Sequence, residues 1–323
     1  MERPSTKPIG LILAGGRSQR LFPESRPKPL LEVNGVSLME QSLERLKNFE
    51  TYVITNQEIG LELKKYLRAK RKETKFLFEP EGRDTAAAVG FGLRHFRDQD
   101  SWVAILSADQ WLQDSSAYWD FLKVVEKEIE LYPEALFVAA SPSEHKPQAS
   151  HSQFGWIVSE RESPSQSFRV KNFIEKPQGK ELEEVRKQGG GINGGMFFGK
   201  IKTFIKAYKS LFPQPLDSNQ DYFKIQRTPV DRAIFEKYQE VRSIPLHIKW
   251  EDLGTWQDWA KQIGNEGITQ IDAQNNFVYS TTNQKTYIFG TNDLAVIQTN
   301  DKTLVMPLSE TRKMKDYLEK LKE

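Results

Sequence analysis

Cysteine is absent from the 323 residues. That removes disulfides, thiolate nucleophiles and cysteine metal sites. Histidine is scarce: His95, His145, His151 and His247 show no metal-ligand spacing. No apolar run approaches the roughly 20 residues of a membrane span. Glu2, Arg3 and Lys7 precede a run that stops at a glycine pair, so no signal peptide is read. Charge of one sign is not in excess either. The 46 basic residues stand against 44 acidic ones, a net +2, which gives no global reason to expect nucleic acid or an anionic membrane as partner. Low-complexity segments and long repeats are missing. A cytoplasmic protein is the expectation.

What is present is a globular composition, 38% hydrophobic and 28% charged, long enough for one large domain and a smaller one. Apolar runs alternate with helical patterns. Ile9–Ala14, "TYVIT", "KFLF", "WVAILSAD" and "ALFVAAS" read as strands. "LELKKYLRA", the Ala-rich "RDTAAAVGFGLRHF" and the amphipathic "AYWDFLKVVEKEIELY" read as helices between them. The alternation predicts an α/β, doubly wound sheet. "FGWIVSE" and "FRVKNFIEKP" read as strands of antiparallel type, and "GINGGMFFG" as a glycine-rich strand. The texture changes after "WEDLGTWQDWAKQIG" to short Thr-, Asn-, Val- and Ile-rich pieces, which predict a small β-domain closed by a terminal helix. The expected division is 1–264 and 265–323.

Ligands of such sheets sit beyond the carboxyl ends of strands. Gly15-Gly16, Glu79-Pro80 and Asp109 fall at such ends. Bare glycine backbone can approach a phosphate closely, and Arg17, Arg20, Arg26 and Lys28 follow within a few residues. The loop is not a P-loop, because no Gly-Lys-Ser/Thr follows, and Ser18 spoils a dinucleotide fingerprint. Read singly, it is equally a turn with solvated cations. Asp109, and Asp252 in "WEDLGTW", are each a candidate ligand for a divalent cation and each a candidate turn residue. Lys176 in "FIEKP" would share a face with Glu175 only if the chain turned before Pro177. Asn193 sits among glycines that would admit a ligand to the backbone.

Together and in order, these segments resemble the sugar-1-phosphate nucleotidyltransferases, most of all their guanylyl branch. "LAGGRSQRLFPESRPKPLL" resembles the family's glycine-rich signature, and "EPEGRDTAAAV" its Glu-Pro-x-x-Arg-Asn-Thr-Ala segment. "LSADQWL" resembles Pro-Ala-Asp-His, "INGGMF" Trp-Asn-Ser-Gly-Met-Phe, and "PVDRAIFEK" the Asp-Tyr-Ala-x-x-Glu-Lys helix. "FIEKP" and "WEDLGTW" match Glu-Lys-Pro and Trp-x-Asp-x-Gly-x-Trp, and the C-terminal stretch is similar to the bacterial tail. The resemblance implies a Rossmann-like mixed sheet and a C-terminal β-domain, for which a left-handed β-helix is one form. It implies that the phosphate of mannose 1-phosphate attacks GTP, giving GDP-mannose and diphosphate with Mg2+. Arg20, Lys28 and Lys176 would be catalytic. Ala14, Gly15, Gly16, Arg83, Asp84 and Thr85 would bind the nucleotide, Glu175 and Asn193 the sugar, and Asp109 and Asp252 the metal. The implied partners are the two substrates and a second copy in a homodimer. Ser18, Asp84, Ser107, Gln110, the missing aromatic before Asn193 and "PKPLL" depart from the guanylyl pattern. They leave open another sugar phosphate or nucleotide, and a relative that senses without turnover.

Overall fold

A computed structural model describes residues 7–16, 19–145, 148–160, 165–212, 218–263, 268–282 and 284–321. Ser18 and Arg17 lie outside them. By compactness the chain divides into two units. The first takes 1–15, 40–108 and 112–250; the second takes 16–39, 109–111 and 251–323. The units are thus discontinuous, where composition suggested one cut at 264.

The first unit is built on a nine-stranded sheet. Its order is Lys75–Phe78, Glu50–Thr55, Ile9–Leu13, Trp102–Ser107, Gly191–Lys200, Leu136–Ser141, Val241–Pro245, Phe168–Ile174 and Trp156–Glu160. The first four run parallel. Their near-continuous apolar runs follow from that arrangement, since a parallel sheet is covered on both faces. Gly191–Lys200 then pairs antiparallel with both Trp102–Ser107 and Leu136–Ser141. The sheet is therefore mixed, as the resemblance implied. One reversal has a direct consequence: the amino end of Gly191–Lys200, with Asn193, lies beside the carboxyl ends of Trp102–Ser107 and Leu136–Ser141.

The helix Asp84–Leu93 is buried along Ala86–Leu93 within this unit's core, which also holds Leu11, Ile54, Val103, Phe197 and Phe204. Alanine and glycine suit it, because small side chains let a helix lie close to a sheet.

In the second unit, the pieces read as strands form a parallel pair, Ile268–Ile271 with Thr286–Phe289, and a three-stranded sheet of Phe277–Ser280, Leu294–Gln298 and Thr303–Pro307. A 3-10 turn and the helix Met314–Lys320 follow. Their core is shared with the early segment: Leu21, Leu31 and Val33 pack with Trp256, Trp259, Phe277, Ala295 and Ile297. The tail is thus continuous in packing with the Arg20–Lys28 loop. Arg26 joins them further, with its Nη2 donating to the Tyr279 hydroxyl at 2.8 Å while it pairs with Glu24 at 2.7 Å.

Candidate active site

In the second unit Lys28 opens a 3-10 turn after Pro27, and its side chain is only 4% exposed. A buried ammonium needs partners for its three protons. Nζ donates to Asp109 Oδ2 at 2.8 Å, to Asp252 Oδ1 at 2.9 Å and to the Asp252 carbonyl at 3.3 Å. Burial alone would lower its pKa, but the two carboxylates outweigh burial and hold it above the ordinary lysine value. The Asp252 carboxyl is raised by burial and by Asp109, against the pull of Lys28. Arg20 adds positive potential at Asp252. Gly254 makes room for it: a Cβ there would lie 3.3 Å from Arg20 Nη2 and 3.2 Å from the Asp252 carbonyl.

Asp109 and Asp252, 81 and 224 residues from Lys28, therefore converge on one cation position. Their side chains are 36% and 46% exposed, so each also faces outward. Mg2+ prefers hard oxygen ligands, and one or two carboxylates completed by water and phosphate is its usual shell. The pair fits that donor chemistry. Among the described residues no group of three or more His, Asp or Glu could hold a metal unaided, so phosphate or water oxygens would have to complete the shell.

In the first unit, the backbone after Ile9–Leu13 is pinned at Ala14 and Gly15. Ala14 N–H donates to the Ile54 carbonyl at 2.8 Å, Thr55 Oγ1 to the Ala14 carbonyl at 2.8 Å, and Asn56 Nδ2 to the Gly15 carbonyl at 3.3 Å. Glu79, 7% exposed, faces Gly15: its Oε2 would be 3.1 Å from a Cβ at that position. The Tyr222 hydroxyl donates to Glu79 Oε1 at 2.6 Å. Burial raises the Glu79 carboxyl, partly offset by Tyr222.

Arg83 is engaged within the protein, donating to the Ile225 carbonyl at 3.0 Å and to Glu81 at 2.9 Å. Thr85 Oγ1 accepts from Val230 N–H at 2.8 Å. Asp84 stands where the family pattern has Asn, and its φ of +68° explains why either serves. Asn and Asp are the non-glycine residues most at ease there. Aspartate also complements the helix N-terminus it opens.

A second cluster of this unit gathers Gly155, Glu175, Lys176, Asn193 and Asp231. The chain does turn before Pro177. Lys176 adopts φ +52°, and its Nζ lies 3.0 Å from Glu175 Oε1. Phe168–Ile174 pairs with Trp156–Glu160, which also pairs with the start of Gly191–Lys200. Trp156 is thus opposite both Ile174 and Ile192, and Gly155 lies between Glu175 and Asn193. A Cβ at Gly155 would sit 2.8 Å from Glu175 Oε2 and 3.5 Å from Asn193 Cβ. Asn193 stands at a register shift, with Oδ1 accepting from Gly195 N–H at 2.9 Å and Nδ2 donating to Asp231 Oδ1 at 2.6 Å. Asp231 opens a π-helical turn, Asp231–Phe235, a device often found at functional sites. Burial pushes its carboxyl up to about 6, opposed by Asn193 and reinforced by Glu175 and Glu236.

Within the second unit, then, Lys28, Asp109 and Asp252 meet, with Arg20 against Gly254. Within the first, Glu175, Lys176 and Asn193 meet, and Gly15 lies against Glu79. Reading the sequence placed Glu79 at a ligand-facing strand end without giving it a role, and overlooked Gly155, Tyr222, Asp231 and Gly254 as site residues. Asp231 and Gly254 stood inside quoted motifs. Gly155 and Tyr222 had none, since their partners are distant in sequence.

Among curated protein sequences, the chain is 26% identical over 357 residues to a mannose-1-phosphate guanylyltransferase of Salmonella muenchen, covering 97% of this chain and 74% of that one. It is 28% identical over 353 residues to the alginate biosynthesis protein AlgA of Pseudomonas syringae pv. tomato, covering 98% and 72%. Among solved structures it superposes with a TM-score of 0.81 on a mannose-1-phosphate geranyltransferase from Thermus thermophilus. That match is 23% identical and covers 98% of this chain and 100% of the other. Among the described residues no helix is long and apolar enough to cross a membrane. With residues 9–266 matching the nucleotidyl transferase family and the fold in agreement, the chain belongs to that family and is an enzyme of nucleotidyl transfer.

Proposed function

We propose that the chain transfers the guanylyl group of GTP to α-D-mannose 1-phosphate, giving GDP-mannose and diphosphate. The observation that carries this reading is the convergence of Asp109 and Asp252 on the Lys28 ammonium; guanylyltransferases among the relatives support the choice of substrates. The sugar phosphate is itself the nucleophile: its oxygen attacks the α-phosphorus in line, and the bond to diphosphate breaks. No protein nucleophile is needed, so catalysis rests on positioning and charge. Mg2+ held by Asp109 and Asp252 would neutralise charge building on the phosphates. Arg20 and Lys28 supply fixed positive charge for the triphosphate and its leaving group. Ala14–Gly16 and the Arg83–Thr85 turn hold the nucleoside, and Glu79 offers an acceptor to the donor edge of guanine. Lys176, 60% exposed, takes the sugar phosphate. Glu175 and Asn193 take sugar hydroxyls, with Asp231 orienting Asn193.

The test is diphosphate release across nucleoside triphosphates and sugar 1-phosphates. GTP with mannose 1-phosphate should give the highest kcat/KM, by about tenfold or more. Asp109→Asn and Asp252→Asn should each lower turnover about 100-fold while the protein stays folded. A different preferred pair overturns the substrate assignment. Near-wild-type turnover of both variants at limiting Mg2+ overturns the metal assignment.

A further inference from the structure

We propose that the amino end of the first unit's sheet carries a second anion site, which takes a small, multiply phosphorylated ligand. A cavity of about 1280 Å³ lies there, lined by seven lysines and arginines against two carboxylates, Glu50 and Glu73. In a chain of net charge +2 this is a strong local concentration. Its walls are Lys7 ahead of the first strand, the starts of Glu50–Thr55 and Lys75–Phe78, and the last turns of the helix Gln57–Ala69. Ala14, Gly15 and Glu79, among the candidate active-site residues of this unit, lie at the opposite, carboxyl end of those strands.

Two of the cations are already compensated. Lys75 pairs with Glu50, and Lys72 lies 3.9 Å from Glu40. Lys64 sits over the rings of Phe76 and Phe78 at 5.6 and 5.3 Å. No acidic side chain pairs with Lys65, Arg68 or Arg71 among the described residues. Thr74, in the same lining, has a buried hydroxyl without a hydrogen-bond partner among the described residues.

The negative end of the helix dipole by itself favours cations here, but it does not account for Arg71. Arg71 N–H donates to the Arg68 carbonyl at 3.0 Å and Lys72 N–H to the Leu67 carbonyl at 2.9 Å. This is the helix stop that normally places glycine in the left-handed conformation. Arg71 occupies it with φ +56°. An arginine there is strained, and its neighbours already serve the dipole, so a role for its side chain accounts for the strain. The planar guanidinium suits phosphate oxygens. The concavity, with Phe49 and Phe76 in its wall, suits a compact ligand. A nucleic acid would instead follow an extended stripe.

The test is calorimetric binding of inorganic tripolyphosphate to the full chain and to Arg71→Gly and a Lys64→Glu/Arg68→Glu double variant. Wild type should show a salt-sensitive binding phase that each variant weakens about tenfold or more. Arg71→Gly should raise the melting midpoint by about 1–3 °C as the strain is relieved. Diphosphate release without tripolyphosphate should be unchanged in it. Because Arg71→Gly is expected to be the more stable protein, lost binding cannot be assigned to misfolding. Unchanged tripolyphosphate binding in both variants, or none in wild type, overturns the proposal. So does an oligonucleotide that binds through these residues where tripolyphosphate does not. None of these outcomes depends on the identity of the nucleotidyl substrates.

Discussion

Replacing Lys28 with methionine keeps most of the side chain's apolar volume and removes the cation between Asp109 and Asp252. At 2.8 and 2.9 Å each ion pair has a large gross attraction, offset by the cost of burying an ammonium that is 4% exposed. Removing one member of a buried ion pair costs about 3–5 kcal/mol, because the remaining charge is left uncompensated. Both carboxylates here keep contact with water, which lowers the expected loss to about 2–3 kcal/mol. The Lys28 contribution is complete below about pH 10.4 and is lost as pH rises beyond that, through the raised folded-state value. Urea unfolding at about pH 7.5 reads it in full. Two vacated carboxylates should also bind Mg2+ more tightly than in wild type. At about 100-fold over its Kd the metal returns about 2.7 kcal/mol. The variant should therefore unfold at lower urea without Mg2+ and regain most of the difference with it, while wild type moves little. If the variant matches wild type without metal at an unchanged m-value, or if Mg2+ shifts both proteins equally, the reasoning about this cluster is wrong.

Asp231 gives a pH prediction. Its folded pKa of about 6 lies above the ordinary aspartate value of 3.8, so the stability it contributes is complete below about pH 4 and lost as pH rises through 6. Asp231→Asn retains the acceptor for Asn193, and should gain about 1–3 kcal/mol on wild type between about pH 4 and 7. Unfolding curves that stay parallel across that range would refute the assignment. Gly155→Ala places a methyl group against Glu175 Oε2, 2.8 Å from the ideal Cβ position. A carboxylate end can swing away, so the fold should survive, with KM for the sugar phosphate rising about tenfold and KM for the nucleotide unchanged. Equal changes in both constants would show that Glu175 does not serve the sugar.

Much of the fold was legible because its signals are local. Ile9–Leu13, Glu50–Thr55, Lys75–Phe78 and Trp102–Ser107 are short apolar runs ended by Gly, Asn, Glu-Pro or Asp. A parallel sheet covered on both faces produces such runs, and their ends are where ligands bind. Asp109 and Gly15 could be selected on that ground. Asp252, Lys176 and Asn193 were candidates for turns as much as for chemistry, and became a set through the order of the motifs.

By itself, then, the sequence determined the strands, the helices between them, the family and the segments that carry polar chemistry, because side-chain period and turn residues act over a few positions. Tertiary structure alone decided which of those residues meet. Nothing local announces that Lys28 is buried between acids 81 and 224 residues away. Nor does anything local tell that a reversed strand carries Asn193 to the carboxyl end of its neighbours, or that Asp231 closes on it from a π-helical turn. It took the folded chain to join the tail to the signature loop through Trp256, Phe277 and Leu31. These arrangements follow from strand order and long-range packing, where burial sets both the strength and the protonation of each charge, and no stretch of sequence contains that environment.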